Sequence, residues 1–205
     1  VQLKMFNDAS YARDEPTLGF RLTNDQYIMN YTLDFTDKPY FNKLATTDLP
    51  LLGKEYYVLS VTSDNSTITL LDSAATAILA EGDSITLNGK DVSIAYVGSA
   101  EVKLTVNGET TNSLGEADTF KLSDGSYVGI KDIMYSSKDT GVSQVEFSVG
   151  SGKLKIENGA KVEMNDEDVK NVYGHMTNTS NTQLDTLALR WTANDETFIT
   201  ADQEI

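Results

Sequence analysis

His175 is the single histidine in 205 residues, and the chain has no cysteine. Zinc centres draw on several His or Cys ligands, so the donors for one are missing. Thiolate metal sites, disulfides and cysteine nucleophiles are excluded together. A Ser-His-Asp triad would have to use His175, and no Gly-x-Ser-x-Gly elbow presents a serine to it. His175 therefore reads as a loop or partly buried histidine. Gly150-Ser151-Gly152-Lys153 resembles the end of a phosphate-binding loop. That motif also needs glycine where Phe147 stands and Ser or Thr where Leu154 stands, so the stretch reads as a hairpin turn.

The 31 acidic residues could supply a glycosidase pair, but spacing in sequence picks out no two of them. Asn165-Asp166-Glu167-Asp168 gathers hard oxygen ligands suited to calcium. It lacks the Asp-x-Asp-x-Asp-Gly loop and is expected to be a helix cap or a solvated acidic turn. No catalytic residue, metal site or cofactor is expected, and the chain reads as a non-enzyme. Three sequons are glycosylation candidates: Asn30-Tyr31-Thr32, Asn65-Ser66-Thr67 and Asn178-Thr179-Ser180. Asn30 should lie on the polar face of a strand, Asn65 in a turn and Asn178 in a loop. The ten tyrosines and Trp191 are expected chiefly to fill cores, with stacking on sugars as the alternative use.

These residues must be positioned by strands. Met29, Tyr31, Leu33 and Phe35 alternate with polar residues, as do Val102, Leu104 and Val106, then Val145, Phe147 and Val149, then Leu187, Leu189 and Trp191. Period-two alternation marks strands with one buried face. Asn88-Gly89, Asn107-Gly108, Asp124-Gly125 and Asn158-Gly159 suit hairpin turns, and residues 76–164 read as a meander. The best helix candidate starts near Asn165-Asp166, with Val169, Val172 and Tyr173 behind it.

Sixteen basic against 31 acidic residues give a formal charge of −15. Residues 166–205 hold eight Asp/Glu against Lys170 and Arg190, a net of −6. Such a chain is repelled by phosphate backbones and anionic lipid, and it attracts cations. No apolar run approaches the roughly 18 residues needed for a membrane-spanning helix.

One internal repeat stands out. Gly53–Val61 matches Gly89–Val97 at an offset of 36, and the same offset pairs 67–70 with 103–106 without a gap. Repeats mark reused supersecondary units. The reading is all-β, with two β-sandwich domains in tandem and one inserted in the other. Residues 1–75 and 166–205 form the outer sandwich, closed by the strand around Trp191, and 76–165 the inner one.

GDSITLNGKDVSIAYVG (82–98), LSDGSYVGIKDIMYSS (122–137) and LRWTANDETFITADQEI (189–205) resemble the repeated domain of methanogenic archaeal surface-layer (S-layer) proteins. The resemblance covers most of the chain through strand-and-turn patterns. It implies a glycosylated, non-catalytic repeat unit of two β-sandwiches that tiles with its copies into a porous, negatively charged sheet outside the cell. The family's leader and C-terminal membrane anchor have no counterpart, so the chain is expected to be one excised unit that does not itself insert in membrane. The expected partners are copies of itself, with cations at acidic faces and no nucleic acid. The alternative is an extracellular adhesion or glycan-binding module.

Overall fold

The computed structural model describes residues 2–6, 17–137 and 141–200. The ends of the expected outer segment (residues 1, 7–16 and 201–205) lie outside the described residues. Strand accounts for 64% of the chain and helix for 2%, which makes the protein all-β. In chain order the elements begin with β1 (Gln2–Phe6), β2 (Thr17–Leu22), β3 (Tyr27–Asp34) and a single helical turn, α1 (Phe41–Leu44). They continue with β4 (Asp48–Leu51), β5 (Lys54–Val61), β6 (Thr67–Asp72), β7 (Ala75–Ala80), β8 (Ser84–Leu87), β9 (Lys90–Val97) and β10 (Val102–Val106). Then come β11 (Glu109–Thr110), β12 (Thr119–Lys121), β13 (Tyr127–Met134), β14 (Gln144–Gly150) and β15 (Gly152–Glu157). The last are β16 (Lys161–Met164), β17 (Glu167–Ser180), β18 (Gln183–Thr192) and β19 (Thr197–Thr200).

Eight strands make one sheet in the order β3-β18-β17-β16-β15-β6-β5-β4. Two four-stranded sheets run β7-β14-β13-β12 and β11-β10-β9-β8. Each set of eight can be numbered from its own first strand, β3 or β7. Both then read one, eight, seven, six, five, four, three, two. The difference is that strands six and five pair in the outer set and do not pair in the inner set. The whole inner set, β7 to β14, lies between the fourth and fifth strands of the outer one.

Backbone detail repeats with the topology. Ladder β4–β5 pairs Asp48 with Tyr57 and Leu51 with Lys54, and β8–β9 pairs Ser84 with Ser93 and Leu87 with Lys90, each 36 residues on. The register skips Leu59 in β5 and Ala95 in β9, so a bulge recurs at the same offset. After it the offset falls to 34: Val58 faces Leu70, whereas Ile94 faces Leu104. The second link is two residues shorter, so the gapless match of 67–70 with 103–106 does not hold in three dimensions.

Each set closes its own core. Leu49, Val58, Ile68, Leu70, Leu154, Ile156, Val162, Leu184 and Leu187 belong to one cluster, over which α1 buries Phe41 and Leu44. Val92, Leu104, Val106, Val128, Ile130, Val145, Phe147 and Val149 belong to the other, drawn from both four-stranded sheets in a sandwich-like pair of layers. Removing a fully buried leucine such as Leu104 costs about 2–5 kcal/mol in transfer and cavity terms. A third cluster joins the two: Tyr57, Leu59 and Leu71 pack against Tyr127. Close approach there depends on Gly129, where a Cβ would lie 2.6 Å from a Leu59 methyl.

Three expectations change. β15 and β16 pair into the eight-stranded sheet through β6, so 152–164 does not stay with the strands of the expected inner segment. Gly150-Ser151-Gly152 is a crossover between sheets and not a hairpin turn, because β14 pairs with β13 and β7 whereas β15 pairs with β6 and β16. Ser151 N–H donates to the Asp72 carbonyl at 2.9 Å and pins this crossing. No helix starts at Asn165-Asp166. Both residues have positive φ (54° and 69°) and close a two-residue turn between Met164 and Glu167, a geometry that Asn and Asp tolerate. The three-residue spacing of Val169 and Val172, which reads as helical, comes instead from a bulge in β17 that lets both reach the outer core.

Candidate functional site

β17 departs furthest from regular pairing where it meets β16. Asp168 pairs with Glu163 and Tyr173 with Lys161, so β17 carries three more residues than β16 across this span. The excess lies between Asp168 and Tyr173, and Asn171 takes a φ of 60° within the strand. A wide bulge of this kind re-aims side chains and is common beside functional sites. On its other side β18 ends: Val172 pairs with Trp191, which is 39% exposed. The chain then turns through 193–196 into β19. This strand pairs with β2 in a three-stranded sheet, β1-β2-β19, continuing the line of the β3–β18 ladder. Ala193 and Gln26 hold that junction through the Ala193 N–H to Gln26 carbonyl bond of 2.8 Å.

Between the bulge and this junction lies a cavity of about 610 Å³. Leu22, Ile28, Val169, Val172 and Ala193 give it apolar walls beside Trp191. Lys170, Asn171, Asn194 and Asp195 supply its polar groups. Its size falls within the range of small-molecule pockets. The lining combines a flat aromatic surface with hydrogen-bond donors and acceptors, an arrangement suited to binding. Arg190, the neighbour of Trp191, lies over the Tyr27 ring at 5.9 Å.

A second polar cluster forms where the two strand sets meet. Tyr127 is fully buried, and its hydroxyl donates to Asp166 at 2.8 Å. Lys153 forms an ion pair with Asp166, donates to Thr119 at 3.1 Å and lies 5.4 Å from the centre of the Tyr127 ring. Burial, the bond to Asp166 and its charge push the Tyr127 phenol well up. Burial works to raise the Asp166 carboxyl, but the bonds from Lys153 and Tyr127 outweigh it and hold Asp166 below the usual range.

The sequons separate. Asn30 is exposed on the polar side of β3. Asn178 is exposed too, but in β17 and not in a loop. Asn65 lies in the β5–β6 turn with φ of 59°, and its Nδ2, the atom a glycan would occupy, donates to the Asn181 carbonyl at 2.9 Å. Thr67, the third residue of that sequon, is buried. His175 is half-buried in β17, opposite Ala188. Asn165–Asp168 divides between the turn and the start of β17. Among the described residues no group of three or more His, Asp or Glu side chains is placed to hold a metal ion. No helix among them is long and apolar enough to cross a membrane.

Fold and site together define an all-β, sandwich-like protein with a duplicated strand plan and an aromatic cavity at one end. Comparison with protein-family models, with curated proteins and with solved structures finds no match.

Sequence reasoning placed Trp191 on the strand that closes the outer core but did not find the cavity around it. The usable signal was the run Asn194-Asp195 directly after that strand. Tyr127, Lys153 and Asp166 went unlinked because they lie on three separate elements.

Proposed function

We propose that the chain is a structural subunit of a cell-surface S-layer lattice, part of an acidic porous coat outside the cell. In this reading the two strand sets are two β-sandwich domains, the inner inserted in the outer, and the unit associates with copies of itself. The observation that carries it is the twice-used eight-strand plan, joined through the Leu59–Leu71–Tyr127 contact into one block. A coat needs a repeated, internally braced brick, and this is one. The resemblance of 82–98, 122–137 and 189–205 to the S-layer repeated domain points the same way. Asn30 and Asn178 are exposed where a glycoprotein coat would carry its sugars.

The charge of −15 gives such a sheet a negative potential that favours passage of cations over anions. High salt weakens that selectivity, since the Debye length falls to about 3 Å at 1 M. Divalent cations bridge acidic faces of adjacent copies in this scheme, so chelation should loosen the array. Electron microscopy of cell envelopes with an antibody to this chain tests the reading. Label following an ordered two-dimensional array supports it, and label outside any lattice overturns it.

A further inference from the structure

We propose that the cavity beside Trp191 binds an uncharged oligosaccharide. The inference stands apart from the lattice reading and rests on the cavity alone. A pyranose ring presents an apolar C–H face and a rim of hydroxyls, each both donor and acceptor. The cavity matches both. Trp191 offers its exposed indole as a stacking surface, and Lys170, Asn171, Asn194 and Asp195 offer donors and acceptors around it. The bulge explains how the match is made. A regular β17 would be three residues shorter at this point and could not bring Lys170 and Asn171 to the cavity while Val169 and Val172 still reach the core. The left-handed φ of Asn171 is part of that bulge, and strain of this kind persists where the surrounding structure fixes it.

Other ligand classes fit less well. An anionic ligand meets a chain of charge −15 with one lysine among the described lining residues. A quaternary cation is held by several aromatic faces, and among the described residues Trp191 is the single aromatic side chain of the lining.

Trp191 is the sole tryptophan of the chain, so its emission reports on this cavity directly. The full chain is titrated with cellotriose, chitotriose and mannotriose, and with trigalacturonate as the anionic comparison. The expected result is a saturable emission change with at least one uncharged sugar below about 10 mM, together with saturable heat by calorimetry. Trp191→Ala, read by calorimetry, should weaken binding about tenfold or more, and Asp195→Asn and Asn171→Gly several-fold. Asn171→Gly accepts the positive φ and so keeps the bulge while removing the carboxamide. If Trp191→Ala fails to fold by circular dichroism, these two variants decide. The proposal is overturned if no uncharged sugar gives a saturable change, if trigalacturonate alone binds, or if Asp195→Asn and Asn171→Gly both bind as the unaltered chain does.

Discussion

Leu52 and Asn88 occupy the same position in the two copies of the first hairpin, and they make a matched experiment. Leu52-Gly53 has φ values of 49° and 81°, and Asn88-Gly89 has 52° and 74°. Both turns therefore place two residues in the left-handed region, as type I′ geometry requires. A residue with a Cβ pays roughly 1–2 kcal/mol there, which Asn largely avoids by local hydrogen bonding. Leu52 is 55% exposed, so less than half of its surface is covered. Full burial of a leucine is worth about 1.5–3 kcal/mol, so truncating this one loses about 1 kcal/mol at most. Leu52→Asn should then raise stability by about 0.5–1 kcal/mol, or roughly 1–4 °C in Tm for a chain of this size. Leu52→Ala keeps the strain, loses the burial and should be neutral or destabilising. Asn88→Leu brings the strain in and also removes the Nδ2 bonds to the Ser73 and Val149 carbonyls at 3.3 and 3.2 Å. It should cost about 2 kcal/mol. Urea unfolding followed by far-ultraviolet circular dichroism reads all three variants. A gain in Leu52→Ala equal to that in Leu52→Asn, or no gain in Leu52→Asn, would refute the backbone-strain argument.

Gly129→Ala drives a Cβ to 2.6 Å from a Leu59 methyl across the junction of the two strand sets and should cost about 1–3 kcal/mol in thermal unfolding. Tyr127→Phe removes the donor to Asp166 and should cost about 1–2 kcal/mol by urea titration at pH 7. Because the folded Asp166 pKa is depressed, its contribution is present above the ordinary value of 3.8 and lost as pH falls below it, so Asp166→Asn should flatten the acid limb of a stability–pH curve. The raised Tyr127 pKa acts oppositely, stabilising below pH 10 and failing as pH rises beyond, and Tyr127→Phe should remove that alkaline loss. Glycopeptide mass spectrometry of the chain from a glycosylating host should find sugar at Asn30 and Asn178 and little or none at Asn65, whose Nδ2 is already bonded to Asn181; full occupancy of Asn65 would contradict that placement.

Strand identity was legible because one buried face imposes period two: Asn30, Thr32 and Asp34 are exposed where the alternation put them. The turns at Asn88-Gly89 and Asn107-Gly108 were legible because few residue pairs tolerate two positive φ angles. Leu52-Gly53 carries no such signal, and its turn shows only through the offset of 36 to Asn88-Gly89. Sheet membership was harder. Alternation says that 152–164 is strand but not which neighbour it pairs with, and the deciding contacts, such as Leu154 to Leu70, span more than eighty residues. The cavity was hidden for a related reason. A bulge breaks the period that sequence reading relies on, so Val169 and Val172 suggested a helix at the place where β17 bends around its site.

The insertion of β7–β14 between β6 and β15 sets an order of assembly. Asp72 and Gly152 face each other in one ladder, and closing the loop of roughly eighty residues between them costs about 4 kcal/mol of chain entropy. Once the inner strands have formed, Ala75 and Val149 are already opposite each other in the β7–β14 ladder, and the two ends of that loop arrive together. The inner half can thus fold from a continuous stretch of chain as soon as that stretch exists. The outer half must wait for its last four strands and for its guest to be finished. Damage to the inner core is therefore felt in both halves, whereas damage to the outer core can leave the inner one standing.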